Sequence, residues 1–177
     1  KVKNNVIENA RLEVTDITIE TQEAAEKLGR PVGRYITLTA TDSTFDMYSD
    51  SFRERAEVIA KTIGELCGGC ERFLAVGLGN YALTSDAVGP LTAEKIFATR
   101  HIKSLAKELD TDDLGEVTVI QTGVLGSTGI ESSEQVKAIA ERVTPQAVIA
   151  VDALACSELT NLGRTIQLCN TGISPGS

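Results

Sequence analysis

Apolar positions along the chain fall into short runs separated by stretches of more polar sequence. The runs "RYITLTA" (34–40), "RFLAVGLG" (72–79), "GEVTVIQTGV" (115–124) and "QAVIAVDALA" (146–155) predict strands, and "RTIQLCNTG" (164–172) predicts a fifth. The central runs are continuously apolar, which is typical of strands that are buried on both faces. The pattern therefore predicts a mostly parallel sheet.

Apolar residues at helical spacing occupy the stretches between those strands. Residues 49–69 have six of them, which predicts a helix with an N-cap at Ser49 or Ser51 and an end at Gly68-Gly69. The side chains expected to face inward are Phe52, Ala56, Ile59, Ala60, Ile63 and Leu66. The sequence also predicts a long helix over 89–109 and a third helix over 132–143, the latter capped by Ser132 or Ser133.

The first third of the chain is more polar. "LEVTDITIE" (12–20) alternates weakly and predicts an edge strand, and "TQEAAEKLG" (21–29) predicts a short helix that ends at Gly29. Strands that alternate with helices indicate an α/β fold with helices on both faces of the sheet. We therefore expect a single α/β domain over 1–177 with a small N-terminal elaboration.

Composition and charge narrow the function classes. Of the 177 residues, 42% are hydrophobic and 24% charged, as in ordinary globular proteins, and the formal net charge is −8. Such an acidic chain argues against a nucleic-acid or anionic membrane partner, because phosphate binding needs clustered Lys and Arg. No apolar stretch reaches the roughly 18 residues that span a bilayer, and no signal peptide is visible, so a soluble intracellular protein is expected.

The chain ends and the cysteines give two further expectations. The only methionine is Met47 and the chain finishes in the loop-like "TGISPGS", which suggests a processed or C-terminally truncated piece. Cys67-Gly-Gly-Cys70 has redox and zinc alternatives. The pair follows a helix instead of opening one, and Cys156 and Cys169 are not a second close pair, so reduced structural thiols are favoured over metal or redox roles.

Three loops follow predicted strands, at 77–90, 123–131 and 152–157. In an open parallel sheet, functional groups gather outside the carboxyl ends of the strands. The first loop, "GLGNYALTSDAVGP", lacks the third glycine of a dinucleotide fingerprint, and the lysine of a Walker A loop is absent. His101 is predicted mid-helix, away from the strand ends, which disfavours a histidine-based hydrolase. No cofactor and no metal are expected.

Two aspartates remain as candidates for chemistry. Asp86 follows one strand and Asp152 ends another, so the two carboxyl groups would meet if those strands are neighbours. The alternative for each is a carboxylate that caps the following helix. Two further alternatives stay open. Asn80 would orient Asp86 by a side-chain hydrogen bond or merely hold the turn. The backbone N–H groups of Gly79, Gly126 and Gly129 would stabilise an oxyanion, or these glycines only form tight turns.

Four motifs resemble the germination protease family of spore-forming bacteria. They are "GLGNYALTSDAVGP", "TGVLGSTGIESSE", "AVDALA" and "TIQLCNTGISPGS", and they follow the family's order from about residue 73 to 177. The loop, the strand-end aspartate and the sheet order also resemble hydrogenase-maturation endopeptidases. The resemblance implies a hydrolase-like fold of that kind and an atypical aspartic-type endopeptidase, with Asp86 and Asp152 as the catalytic pair.

The resemblance has further implications. Such an enzyme degrades small acid-soluble spore proteins at germination, is made as a zymogen, forms a homotetramer and resides in the forespore or spore core. The chain departs from the family by stopping at Ser177 and by having Ser174 where histidine is common. Two alternatives follow: a metal-sensing, hydrogenase-maturation-type endopeptidase, for which His101 is misplaced, and a non-catalytic binding or regulatory remnant of the same fold.

Overall fold

Two sheets of different kinds organise the chain. The computed structural model describes residues 1–105, 114–156 and 158–174. The described residues divide into two compact units. The antiparallel unit comprises Lys1–Gly68 and Leu154–Gly172, and the parallel unit comprises Gly69–Ala153 and the residues from Ile173. A mixed α/β fold is confirmed in this form, whereas the single-domain organisation of the whole chain stays a prediction.

The antiparallel unit has a four-stranded sheet in the order β1-β2-β3-β7. Its elements are β1 (Val2–Ile7), β2 (Leu12–Ile19), α1 (Gln22–Leu28), β3 (Gly33–Ala40), α2 (Phe52–Cys67) and β7 (Thr165–Cys169). One prediction was wrong here. The predicted edge strand β2 lies inside the sheet, because β1 pairs with it along its whole length. The fifth predicted strand is confirmed as β7, which pairs antiparallel with β3.

The helices of this unit begin and end largely where the sequence predicts. Helix α1 ends at Gly29 and α2 at Gly68, both in the left-handed conformation that ends many helices. Ser51 holds the N-cap position of α2 without a side-chain cap hydrogen bond. The predicted inward face was only half right, since Phe52 is exposed whereas Arg55 is 2% exposed.

Arg55 is buried because every part of its guanidinium meets an acceptor. Its Nε donates to the carbonyl of Ala10 (3.0 Å) and its Nη1 to the carbonyl of Thr44 (3.0 Å). Its Nη2 pairs with the Asp42 carboxylate, which also binds Arg11 at 2.7 Å. A buried cation is tolerated only with such partners, and a period-based assignment of the helix face does not anticipate them.

The parallel unit has a three-stranded parallel sheet in the order β5-β4-β6. Its elements are β4 (Arg72–Leu78), α3 (Val88–Lys95), α4 (Arg100–Leu105), β5 (Glu116–Gly123), α5 (Leu125–Thr128), α6 (Ser132–Val143) and β6 (Ala147–Val151). The sheet is parallel as predicted, but it has three strands, so the sheet content of the described residues is not mostly parallel.

Strand β4 is the centre of this unit and is covered on both faces. Leu74, Val76 and Leu78 are buried against the α6 side chains Val136, Ile139 and Ala140. On the opposite face, a Cβ added to Gly77 would lie 2.8 Å from the Cβ of Ala93 in α3. Alternate residues of a strand point to opposite faces, so helices cover both faces, as the continuous apolar run predicts.

The long helix predicted over 89–109 is interrupted. Helix α3 ends at Lys95, Ile96 is extended, and α4 starts at Arg100. The break occurs because Thr99 bonds to the start of β5: its N–H donates to the carbonyl of Val117 (3.0 Å), and its Oγ1 accepts the N–H of Val117 (2.9 Å). The predicted helix also included residues 106–109, which lie outside the described residues.

Helix α6 has the predicted bounds but a different cap. Glu131, and not Ser132 or Ser133, is the N-cap. The Glu131 side chain accepts the backbone N–H of Glu134, while Oε2 of Glu134 accepts the N–H of Glu131 at 3.2 Å. This reciprocal capping box satisfies two N–H groups of the first turn. Among the described residues, no helix is long and apolar enough to cross a bilayer.

Candidate active site

The loop after β4 holds Asp86 by bonds to its own backbone. Oδ2 of Asp86 accepts the N–H of Asn80 at 2.8 Å, and the same N–H lies 3.0 Å from the carbonyl oxygen of Asp86. The N–H of Asp86 donates to the carbonyl oxygen of Leu83 (2.8 Å), and the N–H of Leu83 donates to the carbonyl oxygen of Asn80 (3.1 Å). These hydrogen bonds connect the start of the loop, at Asn80, with Asp86 near its end. The carboxylate of Asp86 is half-buried.

The side chain of Asn80 has a separate task. Its Oδ1 accepts the N–H of Ala82 at 2.9 Å, which is the hydrogen bond of an Asx turn. Of the two alternatives left open by the sequence, the structure has the side chain holding the turn. The contact with Asp86 is made by the backbone N–H of Asn80, a group that a search for polar side chains does not find.

Asp152 lies directly after β6 and is half-buried. Its Oδ1 accepts the N–H of Ala153 at 2.9 Å. Residues 153–156 are not helical, so Asp152 does not cap a following helix. Asp86 does not cap α3 either, because the N-cap is Ala87 and makes no side-chain cap hydrogen bond. The capping alternative is therefore wrong for both aspartates.

One glycine of α3 brings the two loops to the same edge of the sheet. A Cβ added to Gly89 would lie 2.1 Å from the carbonyl oxygen of Leu78 and 2.4 Å from that of Val151. Helix α3 thus begins against the last residues of both β4 and β6, which pair directly at Gly77 and Val151. Asp86 precedes Gly89 by three residues and Asp152 follows Val151.

The sequence analysis required the strands before Asp86 and Asp152 to be neighbours. The structure meets this condition, because β4 pairs with β6. Gly89 itself was not among the predicted site residues, because "GP" was interpreted only as the start of a helix. The sequence did contain one indication of its role. Gly89 is a glycine in the first turn of a helix, a position where other residues are better helix formers.

The two glycines after β5 differ in what their amides do. Gly129 has φ +70° and ends α5, and its N–H donates to the carbonyl of Leu125 at 2.8 Å. That N–H would have to leave the helix end to serve an oxyanion. Gly126 lies within α5, and a Cβ there would meet nothing within 4 Å. The proposed supporting roles of both residues stay predictions.

Charges and metal ligands around the aspartates are sparse. Neither Asp86 nor Asp152 takes part in an ion pair with another described residue. Within residues 1–105, 114–156 and 158–174, no three His, Cys, Asp or Glu side chains are grouped as metal ligands. The four cysteines, all of them described, form no disulfide bond.

A groove of about 580 Å³ runs between β5 and α6. Its lining is mainly apolar, with Ile120, Ile130 and Ile139 among its members and Glu134 and Gln135 on α6. Neither Asp86 nor Asp152 lines it. The candidate site is therefore the open edge formed by the strand ends, and not this groove.

Fold and site together define a mixed α/β protein with two carboxylates outside the ends of neighbouring parallel strands. The family model for germination protease matches residues 1–177, and the chain belongs to this peptidase family. The resemblance that the four motifs indicated is thereby confirmed.

Individual relatives agree with the family match. The chain is 39% identical over 169 residues to a germination protease of Clostridium perfringens, covering 94% of this chain and 51% of the relative. It is 40% identical over 168 residues to that of Caldanaerobacter subterraneus subsp. tengcongensis, with 94% and 52% covered. For Oceanobacillus iheyensis the identity is 36% over 180 residues, with 99% and 48% covered. The chain thus spans about half the length of these relatives.

Proposed function

We propose that the chain carries the catalytic centre of a spore endopeptidase and that Asp86 and Asp152 are its catalytic pair. The observation that carries this proposal is the contact of Gly89 with the last carbonyl groups of both β4 and β6. That contact supports a common position for the two carboxyl groups at one edge of the sheet. The family match supports peptide hydrolysis as the reaction.

The pair would work by general acid and base catalysis on one water molecule. In the proposed mechanism one carboxyl group is ionised and the other is protonated. The ionised group takes a proton from water, whose oxygen forms a bond to the scissile carbonyl carbon. The protonated group polarises the carbonyl and then gives its proton to the leaving nitrogen as the C–N bond breaks. The pair is then ready to accept another water molecule.

Substrate, assembly and location follow from the family resemblance. The substrates would be small acid-soluble spore proteins, whose degradation the enzyme would initiate at germination in the cytoplasm of the spore core. The enzyme would be made as a zymogen and assemble as a homotetramer. A fold related to hydrogenase-maturation endopeptidases belongs to the same proposal. The net charge of −8 favours neither nucleic acid nor an anionic membrane as a further partner.

The decisive experiment replaces each carboxylate by its neutral amide. Asp86→Asn and Asp152→Asn should each lower the cleavage of a purified small acid-soluble spore protein by at least about 1000-fold, since each removes an essential half of the pair. The substitutions are made in the protein as expressed from its own gene. Circular dichroism and hydrogen exchange check that the fold is retained.

Asp50→Asn is the matched control, because Asp50 is an exposed aspartate of the antiparallel unit. It should cleave at the wild-type rate. Normal turnover by either Asp86→Asn or Asp152→Asn would exclude the proposed pair. Binding of the spore protein without cleavage by the unmodified protein would point instead to a non-catalytic binding module.

A further inference from the structure

We infer that Gly79 is a positioning residue for Asp86, which it holds in place by having no side chain. The inference rests on the proposed function, in which Asp86 is catalytic. A Cβ added to Gly79 would lie 2.3 Å from the carbonyl oxygen of Asp86, 2.9 Å from its Oδ1 and 3.1 Å from its Cγ. Apart from Leu78 and Asn80, its neighbours in the chain, the three atoms nearest to that position all belong to one residue, the candidate catalytic aspartate.

The backbone conformation of Gly79 also requires glycine at this position. Its φ is +109°, a value that residues with a side chain rarely adopt. Two independent features therefore require glycine at this position. The first is the left-handed conformation that turns the chain at the end of β4, and the second is the space that the main chain and carboxylate of Asp86 occupy.

Asp86 has little freedom to move away from a side chain at position 79. Its Oδ2 and its carbonyl oxygen both face the N–H of Asn80, at 2.8 and 3.0 Å, and its own N–H is bonded to Leu83. The carboxylate thus lies between the Cα of Gly79 on its Oδ1 side and the amide of Asn80 on its Oδ2 side. A methyl group at position 79 would displace the whole residue together with its hydrogen bonds.

Another glycine of the chain separates backbone strain from this contact. Gly29 also has positive φ, at +63°, but a Cβ there would meet nothing within 4 Å. Gly79→Ala and Gly29→Ala therefore both place a side chain at a positive φ. Only the first adds a collision with Asp86, so only the first should disturb that carboxylate.

The first test uses the unmodified protein and needs no active enzyme. Asp86 and Asp152 are labelled at ¹³Cγ and followed by NMR from pH 2 to pH 8, with Asp86→Asn and Asp152→Asn giving the assignments. Because Oδ1 of Asp86 faces Gly79, the Cα resonance of Gly79 should shift as Asp86 titrates, and this shift should vanish in Asp86→Asn. The Gly29 resonance should have the same pH dependence in the unmodified protein and in Asp86→Asn. A Gly79 resonance that ignores the titration of Asp86 would overturn the inference.

The second test is kinetic. Gly79→Ala should lower kcat for a small acid-soluble spore protein about 10- to 100-fold with KM changed less than about twofold, as expected for a misplaced catalytic group. It should also move the ¹³Cγ resonance of Asp86. Gly29→Ala should change neither quantity.

The outcomes separate the inference from the function on which it rests. Full cleavage by Gly79→Ala beside an inactive Asp86→Asn overturns the positioning role alone. Retained cleavage by Asp86→Asn overturns the proposed function, and the catalytic meaning of Gly79 with it. If Gly79→Ala fails to fold, the titration of the unmodified protein still decides whether Gly79 senses the Asp86 carboxylate.

Discussion

The antiparallel unit and the parallel unit are stabilised in different ways, although each combines a sheet with helices. In the antiparallel unit a charged side chain, Arg55, is buried among carbonyl groups and a carboxylate. In the parallel unit, main-chain segments lie close together where a side chain is missing: a Cβ at Gly77, Gly79 or Gly89 would lie 2.4, 2.3 or 2.1 Å from a backbone carbonyl oxygen. The antiparallel unit has a tight glycine too, Gly33, but the atoms nearest to its Cβ position belong to the side chains of Thr171 and Asn170. A guanidinium that reaches several chain segments is thus a feature of one unit, and close approach of main chain to main chain is a feature of the other.

The difference explains why the candidate site belongs to the parallel unit. A contact through glycine brings two main-chain segments closer than any side chain would permit, and the groups attached to those segments then come together. A long arginine connects segments at a distance, since its guanidinium lies several bonds from the helix. Loops that must share a small reacting group need the first kind of contact.

The largest effect is expected from removing the guanidinium. Arg55→Ala should lower the free energy of unfolding by about 3 kcal/mol, because it leaves Asp42 and the carbonyl groups of Ala10 and Thr44 without this partner. Urea unfolding gives the magnitude, and hydrogen exchange locates it, with β2 and β3 losing more protection than β4. The control Arg53→Ala, on the same helix and with a side chain 87% exposed, should change stability by less than about 0.5 kcal/mol. Equal loss of protection in both units would contradict the comparison.

A methyl group at Gly89 should act on the other unit. Gly89→Ala should lower stability by about 2 kcal/mol, since a Cβ would collide with the carbonyl oxygens of Leu78 and Val151. Protection should fall first in β4 and β6. Gly64→Ala is the matched control: Gly64 lies inside α2 with open space around it, so alanine there should raise stability by up to about 1 kcal/mol. If the two variants change stability alike, close backbone approach is not what stabilises the parallel unit.

The smallest effect is expected in the pH dependence of stability, through the carboxylate of Asp42. Hydrogen bonds from Arg11, the Ser43 backbone and Arg55 hold the pKa of Asp42 well below its usual range. Because the folded value lies below that of the unfolded chain, about 3.9, the carboxylate stabilises the fold above about pH 4 and loses this contribution as the pH falls further.

Urea unfolding at pH 6 and pH 3 tests this dependence. Asp42→Asn should lose less stability than the unmodified chain between the two pH values, and Arg11→Ala should reduce the loss as well. The difference should be modest, since Asp42 is partly exposed. Identical losses in Asp42→Asn and the unmodified chain would show that Asp42 does not couple to folding.

The sequence predicted most helices and strands of the described residues, because their apolar periodicity is strong. It did not predict that β7 pairs with β3, since a short apolar run carries no information about its partner strand. It also missed the break at Thr99, because the spacing of apolar residues continues through the break. The bond between Thr99 and Val117 joins residues 18 positions apart, which no local pattern encodes.

Part of the geometry of the candidate site was also predicted. Asp86 and Asp152 follow neighbouring parallel strands, as strand-end reasoning requires, while their catalytic role stays a prediction. The backbone amide of Asn80 and the close approach of Gly89 were not predicted, because neither is a property of a side chain. Glycine and main-chain N–H groups look alike at every position of a sequence, and only the fold distinguishes those that touch a functional group.

The pairing of β3 with β7 has a consequence for how the chain is made. Tyr35 is opposite Cys169, and the N–H of Ala40 bonds to the carbonyl of Arg164 at 2.8 Å. During synthesis, one edge of β3 therefore stays unpaired until more than a hundred further residues have emerged from the ribosome and β7 is available. The strands β4, β5 and β6 can pair in that interval. Ribosome-bound chains of increasing length should thus acquire protease resistance in the later-encoded sheet before the earlier one is complete.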